Sequence, residues 1–320
     1  MRALILAAGL GTRLRPLTHL RAKAAVPVNG EPLVRRIAAS LVHHGFADLV
    51  VNLHHRPATI AAVLGDGGDL GARVRYSWED PVLGSAGGPR RALPLLVEGH
   101  DDPRARFLVA NGDTLTDADV GALIDTHERA GDAALTMALI PNPEPRKYGG
   151  VRVQGDRVVG FTRPGAADVS YHFIGLQIAE ARVFVDLPDG RPSESVNAVY
   201  PALLAREPRA IAAHVCDATF QDIGTPADYL RTSLALARVE GARMAMGARA
   251  QVHASASVER TALWDDVTVG AGARLEDTIV CDGAAIPEGA RYSRCAILPA
   301  DAAPPAPHER VEQGLLISPF

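Results

Sequence analysis

Cysteine is scarce in this chain: Cys216, Cys281 and Cys295 are scattered through 320 residues without metal-ligand spacing, which argues against a zinc site and points to reduced thiols. No strong charge balance is present either. Lys and Arg total 33 against 37 Asp and Glu, a formal net charge of −4, so general binding to nucleic acid or to a membrane surface is not expected. Long hydrophobic runs are also missing, and no segment reaches the length needed to span a bilayer. The opening Met1-Arg2-Ala3-Leu4-Ile5-Leu6-Ala7-Ala8 superficially looks like a secretory leader, but the run is short and breaks into glycine and arginine. A cytoplasmic protein is the expectation. The chain does have a 47% hydrophobic content, enough for one large domain with a buried core and a smaller one beside it.

The most informative stretch follows the apolar run 3–6: Leu6-Ala7-Ala8-Gly9-Leu10-Gly11-Thr12-Arg13-Leu14-Arg15-Pro16-Leu17-Thr18. A buried strand ending in small residues and glycines lets the backbone come close to an anion, with successive N–H groups aimed at phosphate oxygens. Arg13, permanently charged and carrying five fixed donors, suits a polyphosphate. The GKS/T ending of a P-loop is missing, and Thr12-Arg13 stand where the dinucleotide-binding motif has its third glycine.

Beyond this loop the pattern alternates: a helix over 32–44, a strand over 47–53, a helix over 56–64, a strand over 72–77, a helix over 86–96 and a strand over 106–110 leading into Asn111-Gly112-Asp113. Such βαβ repetition predicts an α/β fold with a doubly wound, Rossmann-like, mostly parallel sheet. Ligands then bind outside the carboxyl ends of the strands, where the Gly9 loop and Asp113 both fall. Hairpin-like pieces at 148–153 and 158–161 read as a substrate-facing insertion, with helical material over 183–204 and 226–239 closing a domain of residues 1–240. From 247 to 300, six-residue steps such as Val252 to Val258 and Val269 to Leu275 predict a short left-handed β-helix of hexapeptide type. Its coils would take about eighteen residues each. Residues 301–320 form a proline-bearing tail, either a docking strand or a loosely held terminus.

The string from Gly9 to Thr18, with Lys23 and Val26-Pro27-Val28, resembles the signature of the sugar-1-phosphate nucleotidyltransferases, also called nucleotide-sugar pyrophosphorylases. The likeness covers residues 1–239, and it extends to Asn111-Gly112-Asp113-Thr114 and Asp222-Ile223-Gly224-Thr225-Pro226. Taken alone, an aspartate at a strand end could cap the next turn. The resemblance makes Asp113 and Asp222 metal ligands, and two hard carboxylates with a triphosphate are what Mg²⁺ needs. It also implies that Leu6, Ala7, Ala8, Gly9, Gly11, Thr12 and Arg13 hold the nucleotide, and that Lys23 neutralises the α-phosphate and the incoming sugar phosphate. Ala22 and Ala24 depart from the family's usual prolines or bulkier residues around that lysine.

Glu79 and the following segment to Gly84 and Gly88 resemble the base-recognition stretch. An ionised carboxylate only accepts hydrogen bonds, and guanine offers two adjacent donors where uracil offers one, so Glu79 tilts the reading toward GTP. Backbone groups near Gly84 are the other candidates for that role. On the sugar side, Tyr148-Gly149 matches the family's Y-G pair, and Thr162-Arg163-Pro164 stands where many relatives have E-K-P. Arg163 keeps the charge and could grip the sugar phosphate, whereas Thr162 lacks the acceptor strength of glutamate.

The resemblance implies attack of a sugar 1-phosphate oxygen on the α-phosphorus of a nucleoside triphosphate, with pyrophosphate leaving. Arg13, Lys23, Asp113 and Asp222 carry that chemistry. Mannose 1-phosphate with GTP is the preferred pair. The alternative is UTP with N-acetylmuramate 1-phosphate or glucose 1-phosphate, since residues 79–88 also look like the N-acetylmuramate 1-phosphate uridylyltransferases. A third reading, of another class, is a silent regulatory subunit that binds a nucleotide sugar. The C-terminal repeats imply assembly or regulation, so a homo-oligomer is expected.

Overall fold

Ala3, Leu4 and Ile5 are fully buried because strand β1 (Arg2–Leu6) runs through the middle of a sheet covered on both faces. The computed structural model describes every residue except Ala167 and Arg243. The chain packs as two compact units. The first comprises Met1–Gly9, Ile37–Pro57 and Leu64–Gln221; the second comprises Leu10–Arg36, Ala58–Val63 and Asp222–Phe320. The glycine loop beyond Gly9 and the helix over 226–239 group with the C-terminal repeats.

In the first unit, β2 (Asp48–Leu53), β3 (Arg73–Trp78), β4 (Arg106–Asn111), β5 (Leu135–Pro141), β6 (Gly150–Gln154), β7 (Arg157–Thr162), β8 (Tyr171–Glu180) and β9 (Ile211–Val215) join β1 in one sheet of order β3-β2-β1-β4-β8-β5-β9-β7-β6. The four strands β3, β2, β1 and β4 are mutually parallel, with Leu6 opposite Asn52 on one side and Asn111 on the other. Strand β8 then enters antiparallel to both β4 and β5. The sheet is thus mixed rather than mostly parallel. No helix lies between β5 and β8 to provide a crossover, so the return is antiparallel.

Helices α1 (Leu33–His43), α2 (Pro57–Leu64), α3 (Gly84–Leu96) and α4 (Val120–Ala130) follow the predicted order. In α1, Leu33, Val34, Ile37, Ala38 and Leu41 are buried on one face at helical spacing. Residues 183–204 are not one helix. Pro188, Gly190 and Pro192 break the stretch, leaving a wide turn at Ser195–Val199 and α5 (Tyr200–Arg206). Leu4, Val50, Phe107, Met137, Phe184 and Tyr200 belong to the core of this unit.

The second unit stacks short parallel strands in coils. Ala245 pairs with Ala262 and Ala262 with Ile279; Gln251 pairs with Thr268 and Thr268 with Ala285. Each coil therefore advances 262 − 245 = 17 residues, one fewer than anticipated. Strands beginning at Ala245, Gln251, Ser257 and Ala262 give steps of 6, 6 and 5, so one corner is a residue tighter. Arg260, Asp277 and Arg294 turn that corner with left-handed φ of 45°, 49° and 48°. Leu263, Val269, Leu275, Val280, Ile286 and Ile297 fill the interior. The tail docks as a strand: Leu315–Pro319 pairs antiparallel with Arg291–Pro299 and buries Leu315, Leu316 and Ile317. Among the described residues no helix is long and apolar enough to cross a membrane.

Candidate active site

Four strand ends build the site of the first unit. Gly112 N–H donates to Leu6 O at 2.9 Å, and a Cβ at Gly112 would lie 2.5 Å from that oxygen, so only glycine lets β4 end beside β1. Asp113 follows at once, partly exposed, with the Thr114 hydroxyl 3.3 Å from its Oδ1. Leu6, Ala7, Ala8 and Gly9 leave β1 at the same edge. Gly9 is exposed, and a Cβ there would meet nothing within 4 Å.

Sequence reasoning missed Asn52, the residue that organises this edge. It is 2% exposed, its Oδ1 accepts Ala7 N–H at 2.5 Å and its Nδ2 donates to Glu79 Oε1 at 2.6 Å. The other Glu79 oxygen accepts Leu83 N–H at 2.7 Å. A Cβ at Gly88 would fall 2.7 Å from Glu79 Oε1, so α3 closes over the pair. Burial pushes the Glu79 carboxyl above its ordinary range, opposed by the bonds from Leu83 and Asn52. Glu79 is 3% exposed, and both of its oxygens are engaged. Through these bonds it holds Asn52 and the turn into α3. The signal available in the sequence was an asparagine inside an otherwise apolar strand. Gly84 opens α3 at φ +76°, with Ser193 O receiving the Ala86 and Gly87 amides.

At the far end of the sheet the β6–β7 hairpin pairs Gly150 with Thr162, which brings Tyr148-Gly149 and Thr162-Arg163 together. A Cβ on Gly149 would stand 3.0 Å from Thr162 O. Tyr148 packs on His172 at 4.5 Å and edge-on to Phe220 at 5.5 Å. Burial holds the His172 pKa down at about 4. Arg163 is exposed and makes no ion pair among the described residues.

The second unit carries the rest of the loop. Gly11 has φ +62°, its carbonyl accepts the Thr18 hydroxyl at 3.0 Å, and Thr12–Leu14 form a short helical turn. A Cβ on Gly11 would lie 2.7 Å from Thr18 Cγ2 and 3.1 Å from Lys23 Cβ, so Gly11, Thr12, Arg13 and Lys23 occupy one place. Leu14 and Leu17 are buried, whereas Thr12 and Arg13 are exposed, and Arg13 has no ion pair among the described residues. Long-range bonds hold this segment. Arg21 grips Asp282 and Asp265 at 2.6 Å each, Tyr229 donates to Pro27 O at 2.6 Å, and Trp264 Nε1 donates to the Tyr229 hydroxyl at 2.7 Å. Asp222 and Gly224 precede helix α6 (Pro226–Val239), which Thr225 caps by accepting Asp228 N–H at 3.2 Å, with Pro226 at its first turn.

A family model described as nucleotidyl transferase matches residues 2–239. The chain belongs to that family. Over 241 residues it is 32% identical to a mannose-1-phosphate guanylyltransferase of Mycobacterium tuberculosis, covering 74% of this chain and 64% of that protein. It is also 34% identical over 205 residues to an N-acetylmuramate alpha-1-phosphate uridylyltransferase of Neisseria meningitidis serogroup B, covering 63% of this chain and 84% of that protein. The fold of this chain resembles that of HddC from Yersinia pseudotuberculosis, with TM-score 0.60 and 23% identity over 73% of this chain and 99% of that one. The chain spans 61% to 64% of the length of several curated relatives that it matches.

No group of three or more His, Cys, Asp or Glu able to hold a metal occurs among the described residues. Magnesium is usually held by one or two carboxylates with substrate phosphates completing its shell. Asp113 and Asp222 are each a hard, partly exposed carboxylate of the donor type that magnesium takes.

Proposed function

We propose that this protein joins a nucleoside triphosphate to a sugar 1-phosphate, forming a nucleotide sugar and pyrophosphate, with GTP and mannose 1-phosphate as the preferred pair. The observation that carries the reading is Arg13, exposed and without an ion pair among the described residues, in a loop shaped by Gly11 and lined by Lys23. The 32% identity to the mycobacterial guanylyltransferase supports the preference for that pair. The attacking phosphate is already an anion at neutral pH, so no general base is needed and catalysis rests on alignment and charge neutralisation. Arg13 and the loop amides hold the β- and γ-phosphates, while Lys23 and Arg163 receive the second anion. Mg²⁺, on Asp113 and Asp222, would offset phosphate charge.

UTP with N-acetylmuramate 1-phosphate is the second reading, favoured by the 34% identity to the Neisseria protein across 84% of its length. UTP with glucose 1-phosphate accompanies it, in line with the relative of that activity from Synechocystis at 29% identity. The coils are read as a short left-handed β-helix serving assembly of a cytoplasmic homo-oligomer.

Pyrophosphate release with Mg²⁺, across four nucleoside triphosphates and a panel of sugar 1-phosphates, tests the proposal against an Asp113→Ala blank. Release confined to GTP with mannose 1-phosphate is the expected result. Release with a UTP pair would replace the substrates. Binding of a nucleotide sugar with no turnover from any pair would make the chain a regulatory subunit.

A further inference from the structure

The parallel strands have a second end. Where β1 and β4 begin, two adjoining cavities of about 570 and 260 Å³ share a wall made by Asp102, Arg104, Arg106, His127 and Glu128. We propose that this wall is a binding site for a small oxyanion, a phosphate ester or a carboxylate, held by Arg104, Arg106 and the free nitrogen of His127.

Three observations carry the assignment. His127 is 3% exposed and its Nδ1 lies 2.8 Å from the hydroxyl of Thr136, itself fully buried, so the ring is fixed and Nε2 is left without a protein partner on a residue that lines both cavities. Desolvation and the Arg106 charge hold this imidazole at a pKa of about 4, so at neutral pH it is an uncharged hydrogen-bonding group beside guanidinium groups.

The cations of the wall also differ in what they are already doing. Arg2, on the rim, donates to Leu96 O and Glu98 O at 3.1 and 2.8 Å and is occupied. Arg106 lies 3.5 Å from Glu128, a loose pair that an entering anion would compete for. The Arg104 guanidinium has no partner among the described residues; only its backbone N–H is used, donating to Asp102 Oδ1 at 2.8 Å. Among the acidic groups of the two cavities, Asp48 pairs with Arg73 at 2.7 Å and Glu180 with Arg182, while Asp102 accepts the Arg104 amide and Glu128 has only the loose contact with Arg106. An oxyanion with forked acceptors matches what remains.

The position separates this site from the nucleotide loop. Strands β1 and β4 run five and six residues from the cavity to Leu6 and Asn111. At about 3.3 Å per residue that is roughly 16–20 Å, too far for one small ligand to reach both ends. The inference rests on this fold and not on the proposed reaction.

NMR of the histidine ring resonances in the full-length protein, titrated separately with inorganic phosphate and with succinate, tests it. Saturable shifts of the His127 signals are expected, with affinity at least about tenfold weaker in Arg104→Ala and undiminished in Arg13→Ala. Saturation by phosphate alone assigns a phosphate ester, and by succinate alone a carboxylate. His127 signals that stay still, or that move no more than with matched sodium chloride, would overturn the site. So would saturation that Arg104→Ala leaves intact or Arg13→Ala abolishes.

Discussion

Arg249 and Arg260 in the coils each grip a carboxylate seventeen residues further on, Asp266 at 2.5 and 2.6 Å and Asp277 at 2.7 and 3.0 Å, whereas Arg13 in the glycine loop and Arg163 beyond the β6–β7 hairpin have no ion pair among the described residues. The same side chain meets opposite treatment in two regions. In the coils a repeat of fixed length stacks opposite charges at successive corners, and Arg260 also reaches Glu276. In the loops the backbone is held by other means, namely the Gly11 turn, the Thr18 hydroxyl and buried Leu14 and Leu17. Charge that a fold leaves uncommitted is available to a ligand.

Three experiments would break or sharpen this contrast. The largest effect is expected for Arg13→Ala: turnover falls by about 10²–10³, the range seen when one preorganised donor is removed, while the thermal unfolding midpoint stays where it was. A drop of only a few-fold in the folded variant would place Arg13 with the structural arginines. Next come the two glycines of the loop. Gly11→Ala must hold φ +62° and push against Thr18, so stability should fall by on the order of 1–3 kcal/mol in denaturant unfolding. Gly9→Ala has open space around it and should unfold as the parent does, yet it should bind nucleotide more weakly if the proposed approach of phosphate to this backbone holds. Equal loss of stability in both variants would contradict that division of labour. The smallest effect belongs to Arg260→Ala. Its ion pairs are exposed, so the unfolding midpoint should barely move, and any difference should vanish in high salt.

The parts of the site that could be read from the sequence are those whose cause is local. Gly9 to Arg13 announces a tight approach, Asn111-Gly112-Asp113 a strand end, and Thr225-Pro226 a helix start, because each depends on a few neighbouring residues. The contacts of Glu79 were not legible, because its partners, Asn52 twenty-seven residues away and the Leu83 amide, are set by how the strands and α3 pack. The antiparallel entry of β8 escaped for a related reason: its apolar residues are equally suited to either direction, and only the missing crossover helix selects one.

From the sequence alone came the alternation of strands and helices, the glycine loop and the family signature, all of which follow from backbone preference, hydrophobic period and side-chain chemistry. Only the tertiary structure decided that residues 10–36 pack with α6 and the coils, through Arg21, Tyr229 and Trp264. It alone set the seventeen-residue register and left Nε2 of His127 on a cavity wall without a partner among the described residues. These features rest on contacts between residues far apart in the chain, and burial, which assigns such partners, exists only once the whole chain has folded.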